Sequence, residues 1–136
     1  MSKQGFKEVE HTADWALRVW APDLTGLLRS AAEGMFSLLD LKPGFESGVL
    51  EQFELTAADA ETLLVSWLEE LLFLHEMHSQ AIKLNSLKLI EPLKLKAIVE
   101  RVPAEKPKKH IKAVTFHQLE IIERDQLLHT EIVFDV

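Results

Sequence analysis

Residues 59–75, Asp-Ala-Glu-Thr-Leu-Leu-Val-Ser-Trp-Leu-Glu-Glu-Leu-Leu-Phe-Leu-His, decide how the rest of the chain is read. Leu63, Leu64, Trp67, Leu68, Leu71, Leu72 and His75 recur at the spacing of one helical face, and Asp59 stands where an N-cap carboxylate would accept from the first turn. Immediately before it, Leu50 to Leu55 reads as a strand. After it the chain turns to strand patterns: Ala81 to Leu89, Leu93 to Val102, Ile111 to Glu123 and Leu128 to Val136. Pro92, Pro103, Pro107 and the run Arg124-Asp125-Gln126 punctuate them.

The N-terminal part adds two short strands, Phe6 to His11 and Trp15 to Ala21, the second alternating Trp15, Leu17, Val19 and Ala21 on one face. Asp23 then caps a helix with Leu24, Leu27, Leu28, Ala31, Met35, Leu38 and Leu39 on its apolar side, ended by Lys42-Pro43-Gly44. Short turns between late strands favour antiparallel pairing, and two helices with one apolar face each need a sheet to cover. The expected fold is α+β: one domain over residues 1–136, a two-layer sandwich of a largely antiparallel sheet with two amphipathic helices on one face.

With 136 residues, 47% of them hydrophobic, the chain can bury a sizeable core alone. It has no cysteine, which excludes disulfides, thiolate metal sites and a cysteine nucleophile, and the cytoplasm is the default location. The start Met-Ser-Lys-Gln-Gly-Phe-Lys lacks a secretory apolar stretch, and no run reaches the length of a membrane span. A net charge of −7 speaks against a broad nucleic-acid face, so contact with RNA is expected to be weak or indirect. Lys106, Lys108 and Lys109 form a local basic loop, read first as solvated. No nucleophile elbow, phosphate-binding glycine loop or HExxH pattern occurs, so independent catalysis is not expected.

The candidate chemistry sits at the two ends. Asp14 lies in His11-Thr12-Ala13-Asp14-Trp15, Asp135 in the closing Ile132-Val133-Phe134-Asp135-Val136, and Val136 adds a terminal carboxylate. Three such anions, if brought together, need a proton or a hard cation between them, and oxygen-only donors suit Ca²⁺ or Mg²⁺. On residue physics alone Asp14 reads at least as well as a turn carboxylate, and Asp135 as a solvated edge-strand residue. Along the last strand Leu128, Thr130, Ile132, Phe134 and Val136 share one face, with His129, Glu131, Val133 and Asp135 on the other. Both faces of the preceding strand are mixed, so periodicity does not put His117 and Asp135 on the same side. His75 and His78 lie one helical turn apart and read as residues favoured by the helix end rather than as metal ligands.

The segments His11-Thr12-Ala13-Asp14-Trp15, Ala31-Ala32-Glu33-Gly34-Met35-Phe36, Lys112-Ala113-Val114-Thr115-Phe116-His117 and Phe134-Asp135-Val136 occur in an order that resembles the archease family, small proteins that assist RtcB-type RNA ligases in tRNA splicing. The resemblance implies an α+β fold and a divalent cation, most often calcium, with Mg²⁺ or Mn²⁺ as alternatives, held at Asp14, Asp135 and Val136. His11, Lys112 and His117 are implied as partner-contacting residues or supports of the ligands. The implied role is non-catalytic: promoting guanylylation and turnover of the ligase, which carries the chemistry. Service to another tRNA-modifying enzyme, such as a methyltransferase, is the alternative, and a metal-dependent hydrolase the next. Two features depart from the family pattern: Phe116 stands where a tyrosine is familiar, and the loop from Pro103 to His110 is short and lysine-rich.

Overall fold

The computed structural model describes residues 3–10, 15–41, 46–104, 110–116 and 118–136. His11, Asp14, His117 and Lys106 to Lys109 lie outside the described residues, as does the side chain of Glu10. The elements are β1 (Gly5–Glu10), β2 (Trp15–Ala21), α1 (Leu24–Leu38), β3 (Val49–Thr56), α2 (Ala60–His78), β4 (Ala81–Ile90), β5 (Lys94–Val102), β6 (Ala113–Thr115), β7 (Ile122–Arg124) and β8 (Leu127–Asp135). The fold is α+β with antiparallel pairing between all paired strands. The strands divide into two sheets. One runs β1-β2-β8-β6, with β7 also on β8, and the other runs β3-β5-β4.

Both helices start where the sequence places them. The Asp23 carboxylate accepts from Gly26 N–H at 2.7 Å, and the Asp59 carboxylate from Thr62 N–H at 2.7 Å, each satisfying a first-turn donor that the helix cannot. α1 buries Leu27, Leu28, Ala31, Met35 and Leu38 and packs chiefly on β1 and β2. Gly34 permits this close approach, since a Cβ there would lie 2.4 Å from Leu17 Cδ2. α2 is covered over most of its circumference because it touches α1, β3, β4 and β6. Trp67 ties the layers together: fully buried, it donates from Nε1 to the Leu28 carbonyl at 2.8 Å and meets the Phe53 ring at a centroid distance of 5.9 Å.

The expected strand from Ile111 to Glu123 is two strands instead. β6 pairs with Val133 to Asp135 of β8, and β7 with Leu127 to His129. Between them Gln118 adopts φ 53°, and Leu119 N–H donates to the Phe116 carbonyl at 3.1 Å, which closes a turn. The segment then bridges α2 and the sheet: Ile121 N–H donates to the Glu61 carboxylate of α2 at 3.0 Å, and the Thr130 hydroxyl of β8 donates to the Glu120 carbonyl at 2.9 Å. β7 and β8 join through Asp125 and Gln126, both at positive φ, a pairing whose twist suits a two-residue hairpin.

Candidate functional site at the end of the last strand

β8 lies inside its sheet, between β2 and β6, and carries the C-terminus out at one end of it. Ile132, Val133 and Phe134 are all buried, and Phe134 is wholly so, paired with Trp15 on β2 and Val114 on β6. This anchoring fixes the exit direction of the last two residues. Asp135 is exposed on the face it shares with Glu131 and Val133, directly across from Ala113. Among the described residues its carboxylate makes no ion pair, the four pairs being Arg18–Glu131, Lys94–Glu54, Lys96–Glu54 and Arg101–Glu51. Val136 follows at 37% exposure. The described part of the site thus offers an exposed aspartate at the end of a strand anchored in the core, and a carboxylate is the kind of oxygen donor a hard cation takes.

Lys112 is also at this end. Its backbone N–H donates to the Asp135 carbonyl at 2.7 Å, so it helps to seat the Asp135 backbone, while alternation puts the side chain of Ala113, rather than that of Lys112, beside the Asp135 carboxylate. Phe116, at the first corner of the turn after β6, is 55% exposed. No cluster of three or more His, Asp or Glu side chains is assembled among the described residues, a set that does not include Asp14 or His11. The histidine pair on α2 has a structural use. His75 is buried and donates from Nδ1 to the Gln80 carbonyl at 2.8 Å, closing the helix where Ser79 turns left-handed at φ 52°.

A groove of about 570 Å³ runs between α1 and β4, bordered by Phe36, Leu41, Ile82 and Leu84 with charges of both signs at its rim. It involves none of the candidate residues. No helix among the described residues is long and apolar enough to cross a membrane. Two features escaped sequence reading. Arg101 bonds to both Glu51 and the Gln80 side chain at 2.8 Å, tying β5 to β3 and to the end of α2. Phe73 and Met77 are exposed on α2, at 50% and 60%; their position off the Leu63-Trp67-Leu71 stripe was the available signal.

The class is an α+β fold of two antiparallel sheets and two capped helices. A sequence model of the Archease protein family (MTH1598/TM1083) matches residues 6–136. The protein archease of Methanopyrus kandleri is 32% identical over 139 aligned residues, covering 96% of this chain and 99% of the relative, and that of Methanothermobacter thermautotrophicus is 29% identical, covering 98% and 99%. Among solved structures, the solution structure of Methanobacterium thermoautotrophicum protein 1598 superposes with a TM-score of 0.78 at 28% identity, covering 97% of this chain and 99% of that one. The crystal structure of an archease from Thermotoga maritima, described as a possible chaperone, has the same fold: TM-score 0.70, 23% identity, 96% of each chain covered. The chain belongs to the archease family.

Proposed function

We propose that this chain is a non-catalytic activator of an RtcB-type RNA ligase in tRNA splicing, acting in the cytoplasm, and that it works through a divalent cation held by Asp14, Asp135 and the Val136 carboxylate. Membership of the archease family supports the role, and the pairing of β2 with β8 supports the ligand set. Trp15 and Phe134 are cross-strand partners; Asp14 is the residue before one, Asp135 the residue after the other. The register that pairs Trp15 with Phe134 supports the reading that two aspartates 121 positions apart in sequence share one ion, directly or through water.

When bound, such a cation neutralises the carboxylates and leaves positions open to a partner's oxygen atoms; Ca²⁺ fits the donor chemistry best, with Mg²⁺ or Mn²⁺ as alternatives. The chain itself fixes the backbone that carries Asp135. Phe134 anchors the strand in the core, and Lys112 N–H holds the Asp135 carbonyl. His11, Lys112 and His117 complete the reading as partner-facing or ligand-supporting residues. The test is single-turnover guanylylation of a cognate RtcB-type ligase. The parent chain should accelerate formation of the ligase–GMP intermediate, and Asp14→Ala or Asp135→Ala should remove most of that acceleration while binding to the ligase persists. Equal stimulation by both variants would sink the metal-centred account.

A further inference from the structure

The solvent-facing stripe of α2 is built unlike the rest of the helix. Phe73 and Met77 are 50% and 60% exposed and sit four residues apart, so their side chains are neighbours on one face. Glu69 and Glu76 are exposed on the same side and Glu70 is half-buried beside them. α2 holds four glutamates and no lysine or arginine, and of the four Glu61 is bonded within the fold, accepting from Ile121 N–H. Glu69, Glu70 and Glu76 make no ion pair among the described residues. Glu76 stands in the last turn, where the helix dipole disfavours a negative charge. The stripe thus sets two large apolar side chains in water beside carboxylates that make no ion pair among the described residues.

We infer that the Phe73–Met77 stripe is a docking surface for a partner protein that offers an apolar pocket with a Lys/Arg rim. The charge pattern selects this occupant. A second copy of the chain in a two-fold contact would bring the glutamates of both copies together, anionic lipid headgroups would be repelled, and so would RNA phosphates. A cationic rim around an apolar pocket takes the two anchors and compensates the carboxylates at once, the pattern of a small interface hot spot. The inference rests on the ligase reading above for its partner, since an enzyme that holds RNA must carry clustered Lys and Arg.

The experiment measures the affinity of the full-length chain for a purified RtcB-type ligase from the same host, by calorimetry at low and high salt. Variants are Phe73→Ser/Met77→Ser and Glu69→Gln/Glu76→Gln, with melting temperature and maximal guanylylation rate recorded for each. The apolar double variant should weaken binding by about 30-fold or more without lowering the melting temperature, and at saturation should still stimulate the ligase fully. That split separates it from the aspartate variants, which should bind and fail to stimulate. The glutamine double variant should bind several-fold more weakly and with a flatter salt dependence. If the apolar variant melts lower than its parent, Met77→Ser alone is the decisive binding variant. Parent-like affinity in the apolar variant, or in Met77→Ser where that one decides, overturns the inference, and an unchanged salt dependence in the glutamine variant overturns the cationic rim. Loss of self-association with ligase affinity intact would assign the stripe to a second copy instead. A parent chain that fails to bind the ligase overturns the proposed function, and the docking partner with it.

Discussion

Calcium titrated into the metal-free chain while its melting temperature is followed tests the carboxylate site directly. Asp135 is exposed and has no ion-pair partner among the described residues, so Asp135→Ala should change the stability of the metal-free chain by no more than about 0.5 kcal/mol. The cation changes the comparison. A ligand that binds only the folded state stabilises it by about 2.7 kcal/mol when present at one hundred times its Kd. For 136 residues, an unfolding entropy of about 2.1 cal/mol/K per residue makes each kcal/mol worth about 3.5 °C, so the parent should melt about 9 °C higher at that concentration. Asp135→Ala should show almost none of this rise. A C-terminal extension should act likewise, because an amide replaces the terminal carboxylate. Scanning fluorimetry against Ca²⁺, Mg²⁺ and Mn²⁺, starting from chelator-treated protein, is the assay. A parent melting temperature indifferent to all three ions, or an equal rise in Asp135→Ala, would refute the reasoning.

Trp67→Phe should cost about 1–3 kcal/mol in chemical denaturation, because it removes the bond to the Leu28 carbonyl and leaves a gap where the second ring filled the space between the helices. Acid stability carries a further signature. Hydrogen bonding and charge from Lys94 hold Glu54 below the usual carboxylate range, and the Thr62 N–H does the same for Asp59. Folded-state values below the unfolded ones mean that the stabilisation is complete above the unfolded range near pH 4 and is lost as pH falls through the lowered values. The melting temperature should therefore be insensitive to these two groups from about pH 5 upward and decline below about pH 4, less steeply in Glu54→Gln/Asp59→Asn; an identical acid limb in that variant would remove them as contributors.

Local chemistry was enough for the elements whose cause is local. Asp23 and Asp59 cap their helices because a short carboxylate reaches a first-turn N–H whatever the surrounding fold, and the alternation from Trp15 to Ala21 reports a strand with one face in the core. The four segments that carry the family resemblance were likewise readable in order along the chain. The break in the run from Ile111 to Glu123 was not, since Phe116-His117-Gln118-Leu119 contains no glycine or proline to mark a turn, and the residues just after it are held by bonds from Ile121 to Glu61 and from Thr130 to Glu120, partners that lie on other elements. The outward face of α2 was legible only as the positions off the Leu63-Trp67-Leu71 stripe; that Phe73 and Met77 there stay in water depends on which elements surround the helix. The relation of the two chain ends is the clearest case: composition put carboxylates at both, but only the antiparallel register of β2 with β8 makes Trp15 and Phe134 neighbours, because pairing across 119 positions is a property of the whole sheet and leaves no mark in either segment.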